Sequence, residues 1–277
     1  DAALSFSAGP TEYSGWKQGK EYQTEEFASD GTTVLRRIVN TWQQPTAGGS
    51  WPLTQPEASD SARTNNPQIT QSLTTIEPSQ ANKVAKQTFA FDKYTNRTDL
   101  YEYDFGIGSA GSLVRRTHSD YVTSGYDTLN PSSSNPDLNL TSHIRSLPSQ
   151  VSVFDAAGVE RARSSTEYDN YVLDGSDCLH SFHCPLLTRS NISGFDSLFT
   201  TTYTKRGNPT AVTQYLLSNG AVISSIPAYS QYDIAGNVIR VLDARSTLSN
   251  NIATSLEYDD RFGSPDTEAR TNSIPSE

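Results

Sequence analysis

Short segments in which apolar and polar residues alternate recur along the whole chain, and most are rich in β-branched and aromatic side chains. Gly, Asn, Asp or Pro residues bound each segment, which is typical of strands separated by turns. Helical periodicity is scarce by comparison. The sequence therefore predicts an all-β fold of repetitive antiparallel β-hairpins. The segments are 34–42, 86–92, 113–122, 150–154, 197–205 and 234–242.

An aromatic residue followed by Asp recurs in or near these segments, with a Gly or Asn a few residues later. The Asp carboxylate can accept backbone N–H groups of the turn, while the Gly or Asn takes the left-handed conformation that reverses the chain. The aromatic side chain packs on the sheet and contributes roughly 1.5–3 kcal/mol when fully buried. Each copy is therefore predicted to be one structural hairpin. The copies are Phe91 and Asp92 with Asn96, Tyr103 and Asp104 with Gly106, Phe154 and Asp155 with Gly158, Tyr232 and Asp233 with Gly236, and Tyr258 and Asp259 with Gly263.

Two weaker repeats accompany this element. Residues 203–208 form a degenerate copy in which Thr204 stands in place of the Asp. Residues 33–42 align with residues 112–121, and each of these segments contains a pair of adjacent arginines. Because side chains alternate along a strand, we expect one arginine of each pair to face outward and the other to pair with an acidic neighbour across the sheet.

Two stretches interrupt the alternation and suggest how the chain is divided. Residues 43–80 are rich in Pro, Thr, Ser and Gln, a composition that predicts an insert or linker. A shorter loop is predicted at about residues 130–142. The division then consists of a first repeat-like β segment, residues 1–42, the insert, and a longer repeat β region, residues 81–277.

Composition and charge narrow the classes of partner. Hydrophobic residues make up 34% of the chain and aromatic residues 10%, while Ser and Thr together make up about a quarter. This balance predicts thin sheets with one wet face rather than a disordered segment. The net charge of −10 disfavours a nucleic-acid partner and an anionic membrane surface. No apolar run approaches the roughly 20 residues of a spanning helix, so we expect no membrane insertion.

The best copy of the repeated element, residues 232–245, resembles the YD repeat of the RHS family. This family includes bacterial RHS proteins, the shells of insecticidal toxin complexes and the teneurins. The resemblance implies a curved ribbon of β-sheet that forms all or part of a hollow shell, which in the toxins encloses a C-terminal effector. The chain departs from the family because it has no Asp-Pro dipeptide, which the self-cleavage motif of the family contains. A complete shell with its protease is therefore not expected here.

The chain contains no Met, even at position 1. Because translation begins with Met, we expect a processed piece of a larger protein, or a matured form. With the resemblance, this predicts a secreted or cell-surface location.

The one local cluster of reactive side chains contains both cysteines, Cys178 and Cys184, together with His180 and His183. A disulfide between the cysteines is the favoured interpretation, since extracellular proteins commonly clip loops in this way. A zinc site formed by the four side chains, two free thiols, and a cysteine–histidine nucleophile are the alternatives, although the usual Cys-x2-Cys spacing of zinc sites is missing.

Three functions are compatible with these features. The first is a non-enzymatic β-scaffold or shell segment of a secreted bacterial RHS-like protein. The second is a subunit of an extracellular filament or adhesive fibre assembled through sheet edges. The third, a carboxylate-based glycan hydrolase, has less support because turns already require the Asp residues. No cofactor is expected. The expected partners are other copies of the chain, other segments of the parent protein, and cell-surface glycans stacked on Tyr-rich strands.

Overall fold

The computed structural model describes residues 17, 19–44, 66–122, 124–126, 144–189, 195–196, 199–256 and 258. Within them, twelve strands form one open antiparallel sheet in which the strand order follows the chain. No α-helix occurs among these residues, although a 3₁₀ turn lies at Cys178–His180. The prediction of an all-β fold is therefore confirmed. The strands are β1 (Gln23–Phe27), β2 (Val34–Gln43), β3 (Gln68–Ile76), β4 (Lys83–Phe91), β5 (Arg97–Ile107), β6 (Leu113–Val122), β7 (Leu147–Asp155), β8 (Glu160–Tyr168), β9 (Pro209–Ser218), β10 (Ala221–Tyr232), β11 (Val238–Leu242) and β12 (Ala253–Ser255).

Strand β3 corrects the predicted insert at residues 43–80. It pairs with β2 on one side, where Leu73 lies opposite Val39, and with β4 on the other, where Leu73 lies opposite Lys86. The Thr and Gln content of this segment suggested a linker, but Thr and Ile are also strong strand formers, and this second property decides the structure here. The remaining predicted insert between Gln44 and Asn66, like the loop predicted at 130–142, lies outside the described residues.

The chain divides into two compact units. Unit 1 comprises residues 1–120 and 152–161, and unit 2 comprises residues 121–151 and 162–277. In unit 1, Val84 is the one hydrophobic side chain among the described residues that is buried, so its strands are only thinly covered. The two-unit division differs from the predicted boundaries, because strands on both sides of residue 80 belong to unit 1.

Unit 2 contains the better developed core. Leu186, Tyr232 and Ile234 form a buried cluster, and Leu242 is fully buried. Leu186 comes from the long connection between β8 and β9, whereas Tyr232 ends β10. The core of this unit therefore depends on a segment that lies outside the strands.

The paired arginines of unit 1 all bond carboxylates on neighbouring strands. The sequence predicted that only one of each pair would do so, but both do. Three of the four arginines face an acidic residue directly, and Arg116 reaches Asp99, two residues along β5 from the position that it faces. Such partly exposed pairs are worth about 0–1 kcal/mol each. The pairs are Arg36 with Glu26 at 2.8 Å, Arg37 with Glu25 at 2.6 Å, Arg116 with Asp99 at 2.6 Å, and Arg115 with Glu102.

Candidate functional site: aspartate turns and the insertion they hold

Three of the Asp residues that were predicted to hold turns do so with the same hydrogen bonds. They are Asp92, Asp155 and Asp233. In each turn, Oδ1 accepts the backbone N–H groups of the second and fourth following residues at 2.8–2.9 Å. The backbone N–H of the Asp donates to the carbonyl of the fourth following residue at 2.9–3.0 Å. The carboxylate and backbone of the Asp thus satisfy the polar groups that the chain reversal would otherwise leave unpaired.

The third residue after each Asp has the left-handed conformation that closes the turn. Its φ is 69° at Thr95, 79° at Gly158 and 84° at Gly236. In the first turn a Thr rather than a glycine takes this conformation, at some conformational cost. The Asn96 predicted for this turn instead donates its side-chain amide to Asp92 Oδ2 at 2.8 Å.

The second carboxylate oxygen also has a side-chain donor in the other two turns. Asn237 Nδ2 donates to Asp233 Oδ2 at 3.0 Å, and Arg161 Nε donates to Asp155 Oδ2 at 2.7 Å. The backbone bond from Val159, followed by the bond from Arg161, lowers the pKa of Asp155. The carboxylates are therefore engaged in holding turns.

The aromatic residue before the Asp has a fixed place in the sheet. Phe91 lies opposite Arg97 and Tyr232 opposite Val238, and in both hairpins the strand register shifts immediately before the aromatic residue. Tyr232 is 4% exposed and its hydroxyl donates to the carbonyl of Pro209 at 2.9 Å. Phe154, before Asp155, is half-buried and lies 5.4 Å from the guanidinium of Arg116.

The hairpin predicted at Tyr103 and Asp104 with Gly106 is wrong. Asp104 lies inside β5, and its backbone bonds close a turn with Gly111 and Ser112 rather than with Gly106. Its carboxylate accepts the backbone N–H of Phe105, the next residue, so it does not hold the turn. The close Gly106 suggested a short hairpin, but β5 continues past Gly106 because it still pairs with β4 there.

The last predicted copy is only partly described. Tyr258 is 40% exposed, and its carbonyl accepts a bond from Arg189 at 2.7 Å. Asp259 and Gly263 lie outside the described residues.

A further turn of this kind cannot be identified from the sequence pattern, because its two halves are far apart along the chain. Tyr168 ends β8 and is followed by Asp169, whereas Gly207 and Asn208 immediately precede β9. The backbone N–H of Asp169 donates to the carbonyl of Asn208 at 2.9 Å, and Asn208 N–H donates back to Asp169 Oδ1 at 2.9 Å. Tyr168 lies opposite Pro209 after a register shift, as Tyr232 lies opposite Val238. Residues 170–205 therefore interrupt one repeat, and we call them the insertion.

Asp169 accepts more hydrogen bonds than the other turn carboxylates. Arg206 and Gly207 donate their backbone N–H groups to Oδ2 at 2.8 and 2.7 Å. The hydroxyls of Tyr126 and Tyr171 donate to Oδ2 and Oδ1, both at 2.7 Å. Burial, followed by the bond to the Asp169 carboxylate, raises the pKa of both tyrosines. Both phenols therefore remain hydroxyl donors at neutral pH.

The insertion contains the cysteine–histidine cluster. Cys178 and Cys184 form a disulfide with a Cα–Cα distance of 5.2 Å. His183, whose side chain is 11% exposed, lies 2.9 Å from Glu167 Oε2 and 2.8 Å from Asp174 Oδ2. Both ring nitrogens of His183 thus lie within hydrogen-bonding distance of a carboxylate, which fixes the orientation of the imidazole.

The sequence also allowed a zinc site at the two cysteines and two histidines. Among the residues that the structure describes, no group of three or more His, Cys, Asp or Glu side chains is placed to hold a metal ion.

The same part of the chain contains no helix with the length and hydrophobicity needed to cross a lipid bilayer. No model of a known protein family and no curated protein matches this chain.

Proposed function

We propose that this chain is a non-enzymatic structural β-scaffold, a stretch of YD-repeat sheet from a secreted bacterial RHS-like protein. The observation that carries the proposal is the repeated turn geometry at Asp92, Asp155 and Asp233, which returns in split form at Asp169. A repeated hairpin unit extends a sheet one strand pair at a time, and each unit needs its neighbours for stability.

The use of the carboxylates supports a structural role over a catalytic one. Glycoside hydrolysis by the common mechanism needs a pair of carboxyl groups facing a substrate. Asp233 instead has a side chain only 2% exposed, and both of its oxygens accept bonds from its own turn. Asp169 is occupied by five donors.

Most of the hydrophobic side chains described in unit 1 are partly exposed, which supports a sheet whose face is covered by further protein. Apart from Val84, its described hydrophobic side chains remain at least partly exposed. We infer that other segments of the parent protein, or further copies of the chain, cover these strands. Within a shell, such contacts would come from the interior contents or from neighbouring repeats.

Assembly into a filament is the second candidate, and the open sheet favours it. Among the described residues, β1 and β12 each pair on one side only, and an unpaired edge is a template for another strand. The strands are five and three residues long, and β1 has a register shift between Glu26 and Phe27. Short and irregular edges reduce such pairing, so the scaffold remains the preferred function.

Electron microscopy with light-scattering mass measurement tests these proposals on the purified chain. The scaffold predicts discrete particles of one defined mass, and a filament predicts open-ended polymers. A panel of glycans incubated with the same material tests the hydrolase alternative. Turnover that disappears in Asp155→Asn, at unchanged stability, would overturn the scaffold proposal.

A further inference from the structure

The disulfide loop of the insertion is fastened to the sheet through its backbone carbonyls. Three polar side chains from β10, β11 and the loop before β12 donate to these carbonyls, five hydrogen bonds in all. The bonds are Gln231 to Cys178 and Ser181 at 3.2 and 3.1 Å, Arg240 to Cys178 at 2.6 Å, and Asn251 to Leu179 and Ser181 at 2.7 and 3.2 Å.

All five bonds require the loop to keep one conformation, because its carbonyls must converge on three fixed donors. Gln231 is only 3% exposed, so its amide depends on these acceptors. Asp177 caps the 3₁₀ turn by accepting the N–H groups of Leu179 and His180 at 2.8 and 3.0 Å. The disulfide spans this same turn and closes the loop over six positions of the sequence.

The two cysteines are unequally exposed. Cys178 is an exposed residue, whereas Cys184 is 5% exposed. We therefore expect a thiolate from solvent to attack the Sγ of Cys178, with the Sγ of Cys184 as the leaving group.

We propose that the Cys178–Cys184 disulfide is a redox-sensitive clasp, whose reduction by a dithiol releases residues 170–189 from β10 and β11 while the sheet remains folded. The reductant thiolate attacks the Sγ of Cys178, which forms a mixed disulfide and expels the Cys184 thiolate. The second thiol of the reductant then displaces Cys178. Two electrons and two protons pass to the cysteines, and the reductant becomes a cyclic disulfide.

Release of the clasp would expose the apolar core of unit 2. The insertion supplies Leu186, which packs with Tyr232 and Ile234, and it also supplies Phe182, whose ring stacks on Tyr229 with centroids 4.7 Å apart. When residues 170–189 lift, these tyrosines lose their cover. The strands keep their own ladder bonds, because β10 still pairs with β9 and β11. The reduced form would thus present an aromatic surface that the oxidised form hides.

Hydrogen exchange of the whole chain, measured by mass spectrometry with and without dithiothreitol at one pH, tests this proposal. The entropy gained by opening so short a loop corresponds to roughly 30-fold faster local opening. Peptides covering 170–189 should therefore exchange roughly 30-fold faster on reduction, and those covering Tyr229 and Gln231 should follow. Peptides from β3 and β4 serve as the internal control and should not change.

A variant with both Cys178→Ser and Cys184→Ser provides the matched control. It should show the fast exchange of residues 170–189 without reductant and should not respond to dithiothreitol. Equal exchange of this segment in the oxidised and reduced protein would overturn the proposal. Loss of protection in β3 and β4 at the same rate would also overturn it, since the whole chain would then unfold rather than one segment. A response of the double variant to dithiothreitol would show that the effect arises elsewhere.

Discussion

The carboxylate of Asp169 accepts the backbone N–H of Gly207 at 2.7 Å, although 38 positions of the sequence separate the two residues. Gly207 has a φ of 78° and thus takes the left-handed place that Gly158 and Gly236 take in the uninterrupted turns. One hairpin of the repeat therefore tolerates a long insertion between its Asp and its glycine. The ends of the insertion are held together by the same hydrogen bonds that close a short turn.

Removal of the Asp169 carboxylate should destabilise unit 2 more than the loss of any single turn bond. Asp169→Ala leaves the Tyr126 and Tyr171 hydroxyls and three turn N–H groups without their acceptor. Because a buried unpaired donor costs about 1–3 kcal/mol, we expect a loss of at least about 3 kcal/mol. Urea unfolding followed by far-ultraviolet circular dichroism measures it.

Asp155→Ala is the matched control for this change. It removes two turn bonds and the bond from Arg161, but from a partly exposed carboxylate whose donors can turn to water. Its effect should be clearly the smaller one. Equal losses in the two variants would show that Asp169 is an ordinary turn residue and that the insertion is not held by it.

The sequence was sufficient to locate the turns whose parts are contiguous. The turns at Asp155 and Asp233 each have the Asp and its glycine three positions apart, so local pattern alone identifies them. The split turn contains a visible Tyr168–Asp169 pair and a visible Gly207–Asn208 pair, but nothing local indicates that they belong together. From the sequence alone, residues 203–208 resemble a copy that has lost its Asp.

Local pattern also failed where two tendencies compete in one segment. In β3, polar composition suggested a linker, whereas the β-branched residues favoured a strand once β2 and β4 were present to pair with it. At Asp104, the nearby glycine suggested a turn. No turn forms there, because β5 continues to pair with β4 beyond this point. Both outcomes depend on neighbouring strands, which a single segment does not reveal.

The left-handed conformation at Gly236 should make this position intolerant of a β-branched side chain. A Cβ there would meet only Asn208 Oδ1, at 3.9 Å, so the cost of Gly236→Val arises from the φ of 84° and not from crowding. We expect a loss of about 1–3 kcal/mol in urea unfolding. Ala235→Val, at the exposed preceding residue, is the control and should lie within about 0.5 kcal/mol of the parent. If both variants are equally stable, the turn does not require its glycine.

The turn between β1 and β2 should contribute stability that disappears in acid. Bonds from the Thr33 hydroxyl and then from the Thr33 N–H lower the pKa of Asp30 to about 2. Because the folded pKa lies below the ordinary value of 3.8, this contribution is complete above about pH 4 and is lost as the pH falls towards 2. A carboxyl-carbon NMR titration should give the low pKa directly.

Thr33→Val separates the hydrogen bond from the general charge of the protein. It removes the hydroxyl donor and keeps the carboxylate, so the pKa of Asp30 should rise towards its ordinary value. An unchanged titration curve in this variant would mean that the Thr33 hydroxyl does not bond Asp30 in solution.

The disulfide in the insertion should be present in the protein as isolated without reductant. Its intact mass should be lower by two hydrogens than that of the reduced chain, and neither Cys178 nor Cys184 should react with an alkylating reagent. Since the chain has no other cysteine, the mass difference has only one assignment. Two alkylated cysteines in the untreated protein would contradict this prediction.

Tyr232 and Asp233 distinguish a structural repeat from a catalytic site. Asp233→Ala should cost roughly 1–3 kcal/mol, because the N–H groups of Ala235 and Asn237 lose their acceptor. Tyr232→Ala should cost roughly 3–5 kcal/mol through the cavity left in the core of unit 2. Gln214→Ala, at an exposed position of β9, should fall within about 0.5 kcal/mol of the parent. A catalytic Asp233 would give the reverse result, lost turnover at unchanged stability, and urea unfolding in parallel with a glycan assay decides between the two.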